Sequence, residues 1–205
     1  MGVDRVRLAK LTAGLVTVVV VTVAGCSAEA DGNPTARPTT DASGEQDPDE
    51  APRVEDPLDA SSFLDQPCAV LSQQQVAEFS VTRPGEPTTT GAVAENAGPL
   101  CTWHADPGGS IGVGFLTGNK NGLSDTYRGR ESFEYFEPTT VDGYPAAYAN
   151  DPDLRAEGDC TIMVGISDSL AFRASEQGKL DAEGSCERAR QVAAAALATL
   201  KKGGG

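Results

Sequence analysis

Five cysteines, Cys26, Cys68, Cys101, Cys160 and Cys186, limit what this chain can fold into more than any other feature. An odd count in an exported chain leaves one thiol over after pairing. Cys26 is set apart by what precedes it. Arg5, Arg7 and Lys10 form a short basic region, Leu11 to Val23 is uncharged and mostly Leu, Val and Ala, and the small Ala24 and Gly25 lead into the cysteine. This is the three-part layout of a secretory signal. The apolar run falls short of the roughly 20 residues a membrane-spanning helix needs. Gly14 and the β-branched valines also make it a poor long helix.

Val23-Ala24-Gly25-Cys26 looks like the bacterial lipobox, with Val where Leu is commoner. Small residues before a cut let an extended chain enter a peptidase site. A cysteine just after it offers a thiol that can carry a diacylglyceryl group, with palmitate as a further acyl chain. Each buried methylene adds about 0.8 kcal/mol of membrane affinity, and one chain alone binds only marginally, whereas two anchor stably. Lipidation at Cys26 therefore predicts attachment to the extracytoplasmic face of the cell membrane. The chain divides into a signal peptide over 1–25, a lipidated cysteine with a disordered acidic tether over 26–60, and a single domain over 61–205.

With Cys26 assigned to lipid, four cysteines remain for two disulfides in an oxidising compartment. Four allow three connectivities, and spacing does not choose among them. Proximity along the chain favours Cys68–Cys101 and Cys160–Cys186, each closing a loop worth about 3–4 kcal/mol in the chain-entropy model. Zinc is disfavoured, because no C-x-x-C occurs and the chain has one histidine, His104. No metal and no cofactor is expected.

The net charge of -14 excludes a nucleic-acid partner, which requires a basic face. It also argues against electrostatic docking of the domain on anionic lipid. Much of the acid lies between Glu29 and Asp59, opposed only by Arg37 and Arg53. That stretch is rich in Pro, Thr, Ala and Gly and cannot bury enough surface to offset ordering entropy. Even as a flexible coil it would reach about 30 Å, enough to hold the domain off the membrane.

The remaining roughly 145 residues suffice for one hydrophobic core. Leu71-Ser72-Gln73-Gln74-Gln75-Val76 reads as a helix start, with Ser72 and Gln75 as a capping box and a helix end near Phe79. Thr82 to Pro99 reads as an exposed loop. Cys101–Ala105 and Ser110–Thr117 predict a hairpin about the Asp106–Gly109 turn. Leu123 to Phe133 predicts a helix capped by Ser124. Thr139–Val141 and Ala146–Ala149 predict strands around Asp142-Gly143, and Cys160–Ser167 with Leu170–Ala174 a further pair. In the last helix Ser185 is the expected cap. Ala189, Val192, Ala193, Ala196, Leu197 and Leu200 form its apolar stripe. The expectation is an α+β fold, an antiparallel sheet of about five to six strands flanked by N-terminal and C-terminal helices.

Several contexts together carry a resemblance: Pro67-Cys68-Ala69-Val70-Leu71-Ser72, Cys101-Thr102-Trp103, Val141-Asp142-Gly143-Tyr144-Pro145-Ala146, Cys160, and Ser185-Cys186-Glu187-Arg188-Ala189 before an Ala/Leu-rich helix. In this order, after a lipobox and an acidic tail, they resemble the actinobacterial lipoprotein family called domain of unknown function 3558. The resemblance implies a lipid-anchored envelope protein and carries over no catalytic residue. The Gly-Leu-Gly flavour usual near 143–145 is here Gly143-Tyr144-Pro145.

Three groups offer chemistry. His104 could serve as a general base, but no G-x-S-x-G motif accompanies it, so it reads as a strand residue at the surface or a sheet edge. Asp151, Asp153, Glu157 and Asp159 crowd one loop without the calcium-loop pattern, and read as a solvated acidic loop. Aromatic residues, among them Trp103, Tyr127, Tyr135, Tyr144 and Tyr148, would form a binding surface if several were exposed, since aromatics dominate hot spots. The expected function is a non-enzymatic binding or accessory module for an envelope protein, glycan or small ligand. The alternatives are an envelope hydrolase using Asp/Glu residues and a purely structural subunit of a transporter or cell-wall complex.

Overall fold

The structure is a computed structural model and describes residues 47–178 and 180–203. The expected signal peptide, Cys26 and the expected tether up to residue 46 lie outside the described residues. Seven antiparallel strands make one sheet, one or two more than the spacing predicts. They are β1 (Glu86–Thr88), β2 (Leu100–His104), β3 (Ser110–Phe115), β4 (Tyr135–Val141), β5 (Tyr144–Asn150), β6 (Asp159–Ser167) and β7 (Leu170–Gln177). Their order across the sheet is β1-β2-β3-β7-β6-β5-β4. The chain thus lays down one side, then the other, and closes the sheet with the β6–β7 hairpin in between.

Period-two alternation sets which face is buried. Cys160, Ile162, Val164 and Ile166 of β6, with Phe172 and Ala174 of β7, point to one side and are fully buried. The helix α5 (Ala182–Leu200) lies across this face. The whole predicted stripe from Ala189 to Leu200 is buried, so the small side chains bring helix and sheet together. The short helices α1 (Ser61–Asp65) and α2 (Gln73–Glu78), and the 3-10 turn Pro67–Val70, complete this layer. Both disulfides fasten the layer to the sheet. Cys68–Cys101 ties the 3-10 turn to β2, and Cys160–Cys186 ties β6 to α5.

The capping box at α2 is complete. Gln75 N donates to Ser72 Oγ at 3.3 Å, and Ser72 N donates to Gln75 Oε1 at 2.8 Å. Gln75 Nε2 also donates to the Ala195 carbonyl at 2.7 Å, which joins α2 to α5. Ser72→Ala is expected to cost about 1 kcal/mol in urea unfolding, the usual worth of an N-cap. Gln75→Ala should cost more, because it removes the inter-helix bond as well.

Four expectations are corrected. The stretch 82–99 is not an unstructured loop. It holds β1 and the helix α3 (Gly91–Ala97). A three-residue edge strand is too short to show alternation, and Pro87 is tolerated there because an edge strand need not donate on both sides. Ser124 does not cap the helix α4 (Leu123–Arg128), whose N-cap is Gly122. Its hydroxyl instead accepts Ala51 N at 3.3 Å. Ser185 lies inside α5, which starts at Ala182 with Asp181 Oδ1 accepting from Gly184 N at 2.8 Å. Finally, packed chain begins well before residue 61. Ala51, Val54 and Ala60 are buried, Leu58 N donates to the Ile166 carbonyl at 2.8 Å, and Tyr144 Oη donates to the Asp56 carbonyl at 2.9 Å. Few apolar residues, widely spaced among acids and prolines, gave this segment no periodicity to read.

The second sheet face is partly covered. Ala51, Leu123, Tyr127, Ala147 and Ala171 form a small cluster there under α4 and the segment before α1. Beyond it the face is polar. Arg173, Thr102, Thr161 and Ser175 line a hollow of about 140 Å³ with Gly112.

Candidate binding surfaces

The five aromatic residues expected to form a surface do not form one patch. Strand parity turns Trp103 toward the core, where it is 3% exposed. Tyr144 is buried too, with Lys201 Nζ 4.9 Å from its ring centroid. Tyr127 is buried on the other sheet face, edge-on to Phe136 with centroids 5.2 Å apart. Only Tyr135 and Tyr148 meet each other, 6.3 Å apart at half-buried positions. The Arg155 guanidinium stacks on the Tyr135 ring at 3.2 Å. Burial, and then the hydrogen bond from its hydroxyl to Glu137, push the Tyr135 phenol up to about 12.

The acidic loop is organised by arginine. Arg155 Nε and Nη2 donate to the two carboxylate oxygens of Asp153 at 2.7 and 2.8 Å. These hydrogen bonds hold the Asp153 carboxyl below its ordinary pKa. Asp159 is shifted the other way, raised by burial and by Glu157. Among the described residues no group of three or more His, Cys, Asp or Glu is placed to hold a metal ion. His104 stands on β2 with its Nε2 3.8 Å from Glu86 of the edge strand β1. All four domain cysteines are bridged, so none of them is a nucleophile beside it.

Trp103 is nonetheless the centre of a site. It forms one wall of a groove of about 410 Å³ between α2 and the edge of the sheet. Leu71, Val76, Val81 and Pro84 make the groove apolar, and Gln73 and Arg83 stand on its rim. The indole N–H has no hydrogen-bond partner among the described residues, and no fully buried side-chain polar atom lacks one. Gly85 explains how the ring is held. A Cβ there would come within 2.5 Å of Trp103 Nε1 and 2.6 Å of Cys101 Sγ, so only glycine lets the chain pass over the indole and the disulfide.

The groove combines one residue singled out from sequence, Trp103, with others that were not. Val81, Arg83, Pro84 and Gly85 lie in the stretch read as loop, and no periodicity marked them. The cysteines were the available signal, because the Cys68–Cys101 bridge brings the turn before α2 against β2. Among the described residues no helix is long and apolar enough to cross a membrane.

A model of the family described as Protein of unknown function (DUF3558) matches residues 21–199. The matched span takes in Cys26 and all four bridged cysteines. No curated protein and no solved structure matches the chain.

Proposed function

The chain belongs to the DUF3558 family, and on that premise we propose that it is a lipid-anchored envelope module that binds a small amphipathic ligand without transforming it. The observation that carries this reading is the apolar groove walled by Trp103 beside the Cys68–Cys101 bridge, with an indole N–H that has no hydrogen-bond partner among the described residues. Apolar clefts of about 300–1,000 Å³ with a few placed polar groups are the usual form of small-molecule sites. The ligand suited to this one has an apolar body and a hydrogen-bond acceptor at the indole. The carboxylates favour binding over hydrolysis, since several are engaged with arginines: Asp153 with Arg155, Asp125 with Arg128, and Glu187 with Arg190. The anchor rests on Val23-Ala24-Gly25-Cys26 and the basic and apolar regions before it.

The groove is tested with anilinonaphthalene sulfonate, whose rings are apolar and whose sulfonate is an acceptor. Trp103 is the chain's one tryptophan, so energy transfer to the dye reports directly from the site. Saturable transfer at one site is expected. Trp103→Phe cannot report by transfer, so its binding is followed by the dye's own emission. It should bind about 5–20-fold more weakly, the worth of one hydrogen bond. Ala77→Phe, which narrows the groove from the exposed side of α2, should abolish transfer. Equal binding by all three proteins would remove this groove as the site.

The anchor is tested separately. Cys26→Ala is expected to move the protein from the membrane fraction to the soluble fraction, and to end labelling by a fatty-acid analogue. Without acyl chains nothing offsets the loss, because an acidic domain is not drawn to anionic lipid. Retention of the variant in the membrane fraction would refute lipidation at this residue as the anchor.

A further inference from the structure

Among the described residues one buried charged side chain has no partner. Glu176 follows Phe172 and Ala174 on the buried face of β7, and only 7% of its surface is exposed. It stands opposite Cys160 of β6 and Ile111 of β3. Among the described residues it makes no side-chain hydrogen bond and no ion pair. Its side chain lies on the wall of an open space. That space is a cavity of about 260 Å³, lined by Phe79, Ser80, Ile111, Leu180 and Arg188 as well as Glu176.

Arg188 supplies the opposite charge. It projects from the first half of α5, and its Nη1 donates to the Phe79 carbonyl at 3.0 Å. Its guanidinium carbon lies 5.9 Å from the centroid of the Phe79 ring. The Phe79 carbonyl takes one of the guanidinium donors, and Arg188 also lines the cavity. Arg188 acts to lower the Glu176 pKa, but burial acts more strongly and raises it. Both side chains line the cavity, and no ion pair joins them among the described residues. A buried charge left unpaired is costly, and the cost is removed by whatever pairs with it. Backbone at the cavity wall is held in an unusual state as well. Ser80 has φ 59°, and only Asp142 among the other described non-glycine residues has a positive φ. Such strain persists where surrounding structure imposes it, often at ligand sites.

We propose that this cavity binds a free α-amino acid as its zwitterion, the ammonium on Glu176 and the carboxylate on Arg188. Asp106 also stands on the cavity wall, and it is the pairing of Glu176 with Arg188 that selects this class. A simple cation would be repelled by Arg188, and a simple anion by Glu176. A zwitterion satisfies both, and charge-assisted hydrogen bonds to a guanidinium fork and a carboxylate are the strong kind. The volume suits a molecule of amino-acid size. The inference stands apart from the Trp103 groove. Val81 contributes to both walls, but the polar groups of the two sites are different.

The test uses the full chain, with glycine, ethylamine and acetate as probes, followed by amide and arginine side-chain NMR shifts. Glycine is expected to give saturable shifts at Ser80, Ile111 and Arg188. Ethylamine and acetate, which each carry half of the charge pattern, should bind at least about tenfold more weakly. Glu176→Gln and Arg188→Gln should each weaken glycine by a similar factor. If Glu176→Gln fails to fold, the three probes on the unaltered protein and Arg188→Gln still decide the matter. No saturable shift with glycine would overturn the proposal, as would ethylamine binding as well as glycine, or Arg188→Gln binding glycine normally.

Discussion

Replacing Cys160 and Cys186 together with alanine is expected to lower the unfolding free energy by about 3–4 kcal/mol. The bridge joins residues separated by 26 positions, and the loop it closes runs through the β6–β7 hairpin into α5. Without it the unfolded chain regains the entropy of that loop. The Cys68–Cys101 bridge spans 33 positions. The loop term grows only logarithmically, so removing that pair should cost nearly the same. The two variants should differ in what they disturb. Loss of Cys160–Cys186 frees the half of α5 that carries Arg188, whereas loss of Cys68–Cys101 frees the turn that walls the Trp103 groove. Urea unfolding of each double variant, with amide spectra of the folded proteins, separates the two effects. A loss below about 1 kcal/mol for the first variant would mean that helix packing alone holds α5 on the sheet.

Phe115→Ala is expected to cost about 3–5 kcal/mol, the range for removing a large aromatic from a packed core. Phe115 is fully buried at the end of β3. Its ring lies 6.3 Å from that of Phe63 in α1 and 6.4 Å from that of Phe172 in β7. It thus links the first helix, the edge half of the sheet and the central hairpin in one contact. Relaxation is restrained on every side, which places the expected cost at the upper part of that range. Unfolding monitored by tyrosine and tryptophan signals and by far-UV dichroism should shift together. A cost below about 2 kcal/mol would mean that the site collapses around the gap.

Much of this architecture was legible because it is periodic. The stripe from Ala189 to Leu200 and the alternation from Cys160 to Ile166 each predict a buried face, and those faces pack on one another. The Ser72–Gln75 capping box is a local motif that forms whatever surrounds it. The nearest-neighbour cysteine pairs are the bridged pairs. Other parts carried no such signal. Edge strand β1 is three residues long and contains Pro87. The segment from Asp47 to Ala60 is held by scattered contacts to Ser124, Asp168 and Ile166 rather than by a repeating apolar face. The aromatic residues were visible as a group, but strand parity and helix position sent Trp103, Tyr127 and Tyr144 to different places.

The candidate sites divide along the same line. Composition and local order determined the α+β class and the final helix, and they carry the expectation of a lipobox at Cys26. Each depends on neighbours in the chain or on a period of two or 3.6. Tertiary structure alone decided that Trp103 would wall a groove, and that Glu176 and Arg188 would line one cavity. In the chain Glu176 is one more polar residue near the end of a strand. Its burial follows from β7 lying in the middle of the sheet with α5 laid over it, a relation between residues far apart in sequence that no local pattern encodes.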